Sequence, residues 1–354
     1  MNEKDTNTLA CRSQNRDNHF NLIRILAAVG VLVSHAFPIS LGRGTQEPLQ
    51  PWLQGTSLGM VSVFIFFCIS GFFITKSFDQ SQTLSRFIKA RVLRLFPALL
   101  VTLLVTVIVA GLWLTEAPMP VFIAAVPEYI LRNLTMNSLV YELPGVFESN
   151  PFGDAINGSL WTLIYELQCY FGVIVLGWLG VIRQSAVFGL AFLSFVIVSV
   201  GAGLLGYQEH ILVLGLPFAI GAGFYVWRTV ITLRFSLLVV LSVVAVLAHR
   251  SALFQPLFVI ALCYAVFYLG YLRLPALLQY NRLGDYSYGF YIYAFPVQQL
   301  VAHIGINDPV SNITIALPIT LTLAAISWHL IERWALTFVP RNTLAVTPSH
   351  DSVG

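Results

Sequence analysis

Ionisable side chains interrupt two of the long apolar runs in this sequence. Arg24 and His35 lie in the run 22–41, and Glu166 lies in the run 160–182. Because an unpaired charge within a bilayer is costly, such residues mark candidate functional sites. A histidine beside a carboxylate is a workable general base, so these residue types indicate proton-transfer chemistry.

Helix geometry relates the three residues to one another. Arg24 and His35 are three turns plus about 20° apart, so they share one helix face at depths ~16 Å apart. Glu166 lies ~10–14 Å below the outer end of its helix, at a depth similar to that of His35. If the two helices touch, a His–carboxylate pair forms. Each residue also has a structural alternative that stays open. Arg24 can extend to the lipid headgroups, His35 can be a hydrogen-bonded histidine between helices, and Glu166 can be protonated and structural.

A basic cluster lies between the second and third apolar runs, in a stretch that we interpret as an interfacial helix, 82–95. It holds Arg86, Lys89, Arg91 and Arg94, of which the last two are three residues apart and share a helical face. Such a cluster sets membrane topology and binds anionic lipids. Its arginines are also suited to a phosphorylated cytosolic ligand.

The elements that position these residues are transmembrane helices. The 354 residues are 57% hydrophobic and only 10% charged, with a mean hydropathy of +0.79. Soluble domains average about 25% charged residues. Runs of roughly 20 apolar residues predict an all-α, polytopic membrane protein of ten spans: 22–41, 58–75, 96–114, 160–182, 186–206, 211–227, 235–248, 253–271, 286–305 and 313–335.

The charges between the runs predict an orientation. With the N-terminus in the cytoplasm, fifteen basic residues lie inside and three lie outside, as the positive-inside rule favours. The segment 120–134 is then an interfacial helix in a long outer loop, 115–159. We therefore expect a membrane domain over 20–341, with cytoplasmic tails at 1–19 and 342–354. The inside residues are Lys4, Arg12, Arg16, Lys76, Arg86, Lys89, Arg91, Arg94, Arg183, Arg228, Arg234, Arg273, Arg282, Arg333 and Arg341, and the outside ones are Arg43, Arg132 and Arg250.

Other classes of protein fit this sequence less well. Nucleic-acid binding needs a basic face over a polar body, which this sequence lacks. The four cysteines have no metal-ligand spacing, so we expect no metal. A transporter or flippase for a glycan or lipid-linked substrate is the alternative, although the repeated halves typical of transporters are missing. Glu332 beside Arg333 indicates a local ion pair.

Several motifs of this sequence, and their order along the chain, resemble those of the acyltransferase type 3 membrane family. In that family an arginine and a histidine are separated by ten residues on the first span, as Arg24 and His35 are here. Trp334 departs from the pattern, because the family usually has proline there. The further motifs are Phe67-Cys-Ile-Ser-Gly-Phe-Phe-Ile74, Arg91-Val-Leu-Arg94, Ser159-Leu-Trp-Thr-Leu-Ile-Tyr-Glu166, Tyr286-Ser-Tyr-Gly-Phe-Tyr-Ile292 and Ile331-Glu332-Arg333.

The resemblance implies transfer of an acyl group, usually acetyl, from a cytosolic acyl-CoA such as acetyl-CoA to a glycan hydroxyl, in a bacterial inner membrane. It implies that His35 is catalytic, with Arg24 as its companion. Glu166 would orient His35 as the general base, and a covalent acyl-histidine relay stays open. Coenzyme A would contact Arg91 and Arg94, and we expect Arg86 and Lys89 to assist. We expect Asn157, Ser159 and Trp161 to bind the substrate. No oligomeric state follows from the sequence.

Overall fold

Helices account for the fold in the computed structural model, which describes residues 8–14, 17–207, 209–272 and 274–339. Within those ranges no strand is present, and the only β-pairing is an isolated bridge between Thr8 and Thr232. The all-α prediction is confirmed. The C-terminal tail 342–354 and part of the N-terminal tail lie outside the described residues.

Fourteen α-helices are present in the described residues. They are α1 Leu9–Arg12, α2 Phe20–Leu41, α3 Leu58–Asp79, α4 Leu84–Val109, α5 Met119–Thr135, α6 Trp161–Trp178, α7 Ser185–Leu204, α8 His210–Val226, α9 Phe235–Leu247, α10 Phe254–Gly270, α11 Pro275–Leu278, α12 Ser287–His303, α13 Pro309–Ser327 and α14 Arg333–Thr337. Short 3₁₀ turns precede α6 and follow α11, and π-helical turns extend α4 and join α13 to α14.

Polar residues cap the starts of several helices. The Ser57 hydroxyl accepts a hydrogen bond from the Met60 N–H at 3.0 Å, and Thr83 does the same for Arg86 at 3.3 Å. Each cap satisfies an N–H group that has no partner within the helix. As a result α4 starts at the basic cluster and continues without a break, so the predicted interfacial helix 82–95 and the third span form one helix.

The prediction of ten spans can be compared with the length and composition of the helices in the described residues. Six helices in the described ranges are long and apolar enough to cross a membrane, and a seventh results if the bent pair Phe254–Gly270 and Pro275–Arg282 counts as one. Two shorter apolar helices, α8 and α9, accompany them. A multi-pass helical membrane protein is therefore shown, while the count of ten is not confirmed.

Helix α3 lies at the centre of the bundle, where it packs against α2, α6, α8 and α10. Two glycines set its closest approach, to α8. A Cβ at Gly71 would lie 2.0 Å from the carbonyl oxygen of Phe218, and a Cβ at Gly221 would lie 2.0 Å from that of Cys68. Only glycine permits this backbone contact, a common way to associate membrane helices.

Helices α2 and α12 run in the same direction and hold the residues of interest at two levels. Arg24 of α2 contacts Asp285, which precedes α12, and eleven residues later His35 contacts Phe295 of α12. We call the end of the bundle that carries Arg24 and Asp285 the basic end. The end that carries His35 and residues 136–157 is called the loop end.

Candidate active site

A cavity of about 840 Å³ lies at the basic end, between α2, α3, α4, α6 and the start of α12. The cavity is large enough for a cofactor-sized ligand. Three helices contribute four of the predicted site residues to its lining, namely Arg24, Arg91, Arg94 and Glu166. Tertiary structure thus brings together groups that are up to 142 positions apart in the chain (166 minus 24).

Arg94 lines the cavity and is paired with two carboxylates of the protein. Its Nη2 donates to Asp285 Oδ2 at 2.5 Å, and its Nη1 donates to Glu332 Oε2 at 3.2 Å. The guanidinium also lies 6.0 Å from the ring centroid of Tyr288 and 5.5 Å from that of Trp328. Both of its terminal nitrogens are therefore used within the protein.

Asp285 is the carboxylate on which this network converges. Besides Arg94, it accepts a hydrogen bond from Arg24 Nη1 at 3.2 Å on the same oxygen, Oδ2. Its other oxygen accepts from Ser287 Oγ at 2.5 Å and from the Ser287 N–H at 3.4 Å. Burial by itself raises the pKa of Asp285, but Arg94 and Arg24 outweigh that effect and hold the pKa below its usual value of 3.8. Asp285 is therefore ionised at neutral pH.

Arg91 has no such partners although it lines the same cavity. In the described part of the chain it forms no ion pair, and its Nε is buried without a hydrogen bond. Lys76 also faces the cavity, and its Nζ donates to the backbone oxygen of Ser13 at 2.9 Å. Neither cation is neutralised by a carboxylate among the described residues, so both can take an anionic ligand.

Glu166 is bonded to its own and a neighbouring helix. Its Oε1 accepts hydrogen bonds from Ser70 Oγ of α3 at 3.2 Å and from the hydroxyl of Tyr170 one turn along α6. Helix α6 packs on α3 and α8, whereas α2 packs on α3, α12 and α13. In the described residues no ion pair or hydrogen bond joins Glu166 to His35, so the condition for a His–carboxylate pair is not met.

His35 lies outside the cavity, at the loop end. Its ring contacts Phe295 edge-on at 5.3 Å between centroids, and its Nδ1 is buried with no hydrogen-bond partner in the described chain. Eleven residues along α2 separate it from Arg24, and ten separate Phe295 from Asp285. Both helices thus place the imidazole ~15–16 Å from the ionic network.

Tyr291 and Thr162 lie between these two levels. Both line the cavity, and the Tyr291 hydroxyl lies 2.7 Å from Thr162 Oγ1. The same hydroxyl donates to the backbone oxygen of Ser159 at 2.8 Å. Since Tyr291 is one turn before Phe295 on α12, this contact lies on the cavity wall about one turn from the level of His35.

The three residues expected to bind substrate differ in exposure. Asn157 is buried, donates to the Ile292 carbonyl at 2.9 Å and caps the turn before α6 by accepting from the Ser159 N–H. Ser159 is fully buried, and its hydroxyl has no hydrogen-bond partner in the described chain. Trp161 is half-buried against the rings of Tyr165 and His210. Asn157 is thus occupied by tertiary contacts.

The two outer members of the basic cluster are not part of the cavity. Arg86 is half-buried, Lys89 is exposed, and neither lines the cavity that Arg91 and Arg94 line. Arg86 is five residues and Lys89 two residues before Arg91. At 100° per residue these spacings turn both side chains to another side of α4.

Glu332 corrects one expectation from the sequence. It is 1% exposed and pairs with Arg94 of α4, while Ser327 Oγ donates to its other oxygen at 3.0 Å. The predicted local ion pair with Arg333 is wrong, because neighbouring residues on a helix point in directions about 100° apart.

Asp285 and Lys76 line the cavity, but no functional role was predicted for either from the sequence. Asp285 directly precedes the motif that begins at Tyr286, where an acidic residue is also an ordinary helix cap. Lys76 ends an apolar run, where a lysine is also an ordinary topology signal. The sequence position of each residue is thus explained without a function, and only the tertiary structure shows that both side chains line the cavity.

Comparison with known proteins agrees with the motifs. A family model for an acyltransferase domain, Acyl_transf_3, matches residues 17–330. The chain is 31% identical over 350 residues to an O-acetyl transferase of Shigella phage Sf6, covering 91% of this chain and 97% of that protein. It is 33% identical over 165 residues to Nodulation protein 10 of Rhizobium leguminosarum bv. viciae, covering 45% and 43%. No solved structure matches it significantly.

Proposed function

This chain belongs to the acyltransferase type 3 family, and from that premise we propose that it moves an acetyl group from cytosolic acetyl-CoA to a hydroxyl of a cell-surface or exported glycan. Membership of the family and the phage relative establish the coarser statement, that the protein is a multi-pass membrane O-acyltransferase. The relative's name, O-acetyl transferase, supports acetyl as the acyl group.

The cavity at the basic end supports coenzyme A as the carrier. Arg91 supplies a guanidinium with no ion pair in the described chain, and Lys76 supplies a second cation that no carboxylate neutralises there. Cations of this kind suit phosphate groups. When bound, acyl-CoA would supply an activated thioester at the far end of a long flexible arm. Tyr291 and Thr162 also line this cavity, and Tyr291 lies one helical turn before Phe295, the residue that contacts His35.

The observation that supports the mechanism most directly is the separation of a cationic cavity and a histidine along one helix, α2. In the proposed reaction His35 accepts the proton of the acceptor hydroxyl as its oxygen attacks the thioester carbonyl. It then returns that proton to the departing sulfur, so that the imidazole is regenerated. Phe295 holds the ring edge-on and limits its rotation.

In this mechanism Glu166 does not orient His35, the role that its similar depth in the membrane indicated. Its contacts with Ser70 and Tyr170 suit a role in shaping the cavity wall near the thioester arm. Direct orientation of His35 would need a movement of α6 towards α2.

The orientation of the protein is also a proposal, supported by the fifteen-to-three charge split. The basic end would face the cytosol of a bacterial inner membrane, and the loop end would face the acceptor. Accessibility labelling of single cysteines placed within 136–157 tests it, and labelling from the cytosolic side alone would refute it.

Deletion of the gene tests the function as a whole. Mass spectrometry of surface glycans from the deletion strain should show loss of O-acetyl groups, and the wild-type gene should restore them. An unchanged glycan acetylation pattern would contradict the glycan acceptor. The deletion strain complemented with the Asp79→Asn variant, which alters a carboxylate outside the cavity, is the control and should regain O-acetylation as the wild-type gene does.

A further inference from the structure

One carboxylate joins the helix that carries Arg24 and His35 to the helix that carries Arg91 and Arg94. Arg24 of α2 and Arg94 of α4 both donate to Asp285 Oδ2, at 3.2 and 2.5 Å, and Asp285 itself is fixed to α12 through Ser287. An ion pair that is 12% exposed on its acidic side is far less screened than a surface pair. This contact therefore sets the position of α2 along α12 at the basic end.

That position matters at the other end of the same two helices. His35 and Phe295 meet 11 and 10 residues further along the chain than Arg24 and Asp285, and α2 and α12 continue unbroken through these two positions. A rotation or slide of α2 at Arg24 is therefore transmitted to the imidazole. The catalytic residue and the ionic network are coupled by rigid helices rather than by direct contact.

The same network divides the two arginines that the sequence treated as a pair. Arg94 uses one N–H of Nη1 on Glu332 and one N–H of Nη2 on Asp285, so its charge is already paired with two carboxylates. Arg91 has a buried Nε without a partner in the described residues and forms no ion pair there. Arg91 therefore offers a phosphate a guanidinium that no carboxylate neutralises among the described residues, whereas a phosphate at Arg94 would compete with Asp285 and Glu332.

Resting on the proposed function, we propose that Asp285 is a positioning residue of the acyl-transfer site. It fixes Arg24 and Arg94 on the cavity wall, and through α2 it sets the position of His35. Arg91 is then the arginine that contacts the phosphates of the donor. Asp285 and Arg94 thus position the site, whereas Arg91 binds the donor.

The two groups predict opposite kinetic signatures. Asp285→Asn and Arg94→Gln should each lower kcat about 10- to 100-fold, the effect of removing a hydrogen bond to a charged group, while coenzyme A still binds within about threefold of wild type. Arg91→Gln should weaken coenzyme A binding about 10- to 100-fold. The double variant Asp285→Asn with Arg94→Gln should be little worse than either alone, because residues that act as a unit are not additive.

The experiment measures coenzyme A binding and acetyl transfer from acetyl-CoA separately, on full-length protein in membranes at matched levels. Asp285→Glu keeps the charge and should recover most of the lost turnover, which a purely structural role would not predict. If the Asp285→Asn protein does not accumulate in the membrane, the Asp285→Glu variant is measured in its place. Asp79→Asn is the matched control, since Asp79 also binds an arginine and a hydroxyl, those of Arg183 and Tyr225, but lies outside the cavity.

Each outcome decides the matter. If Arg94→Gln loses coenzyme A affinity as strongly as Arg91→Gln, or if Asp285→Asn keeps full turnover, the inference is overturned and the proposed function stands. If Asp285→Glu is as impaired as Asp285→Asn, the positioning role is likewise refuted. A wild-type protein that binds no coenzyme A overturns the proposed donor and this inference with it.

Discussion

The two ends of α12 hold their neighbours by different kinds of contact. At the basic end, guanidiniums and carboxylates meet, with Asp285 between Arg24 and Arg94 and with Glu332 on the far side of Arg94. At the loop end the contacts are neutral hydrogen bonds from amide side chains. The same helix thus begins in a charged network and ends in an uncharged one.

The amide contacts at the loop end are extensive. Gln298 donates to the Leu32 carbonyl of α2 at 2.9 Å and to Asn312 of α13 at 3.1 Å. Gln299 donates to the carbonyls of Gly153 and Ala155 and accepts from Asn150 at 2.9 Å. These bonds attach both neighbouring helices and the loop to α12 around His35.

The difference between ionic contacts at the basic end and amide hydrogen bonds at the loop end matches two tasks, binding an anionic donor and positioning His35. Ionic contacts in a poorly screened site are strong, but an added anion such as a phosphate competes with the carboxylates for the same cations. Neutral amide bonds are directional and respond little to a charged ligand. A cavity for an anionic donor suits the basic end, and precise placement of an uncharged base suits the loop end.

The largest expected effect is at the loop end, on the imidazole. His35→Ala should lower acetyl transfer about 10²–10⁴-fold, the usual loss of a general base, and leave coenzyme A binding unchanged. Acetyl transfer and binding are measured in parallel in membranes. His303→Ala is the control, since His303 also has a buried Nδ1 without a partner in the described chain and a ring contact, 5.6 Å from Phe147. An active His35→Ala variant would end the catalytic assignment.

A smaller effect is expected on stability, from the amide network. Gln299→Leu removes the side-chain donor to the Gly153 and Ala155 carbonyls and leaves the Asn150 amide only its bond to the Gln299 backbone oxygen, so it should destabilise the protein by ~1–3 kcal/mol. A thermal unfolding series in detergent measures this, with Gln50→Leu as control, since Gln50 is bonded to Gly55 at an exposed site. Coenzyme A affinity should not change. An unaltered unfolding midpoint would mean that the loop end does not depend on these amides.

The smallest expected effect is at the cavity wall. Glu166→Gln should lower turnover about tenfold, because Gln keeps the shape but weakens the bonds to Ser70 and Tyr170. Coenzyme A should bind no more weakly, since the change removes a negative charge from a cavity for an anion. Kinetics at saturating acetyl-CoA measure it, with the exposed Glu128→Gln as control. A loss as large as that of His35→Ala would indicate that Glu166 reaches His35 during turnover.

Local features were predictable from the sequence because helix geometry fixes them. Apolar runs and low charge indicated an all-α membrane protein, and the shared face of Arg24 and His35 follows from 100° and 1.5 Å per residue. The family followed from ordered motifs. Helix α5 was expected at 120–134 and lies at Met119–Thr135.

Tertiary structure alone decided which charges meet. Glu332 pairs with Arg94 rather than Arg333, Glu166 contacts Ser70 and Tyr170 rather than His35, and Asp285 joins two arginines. Spacing along one helix says nothing of which helices are neighbours or how each is rotated about its axis. Those choices depend on close packing among all helices at once, such as the approach of α3 to α8 at Gly71. The sequence therefore determined the residues available for chemistry, and the packing of the helices determined their partners.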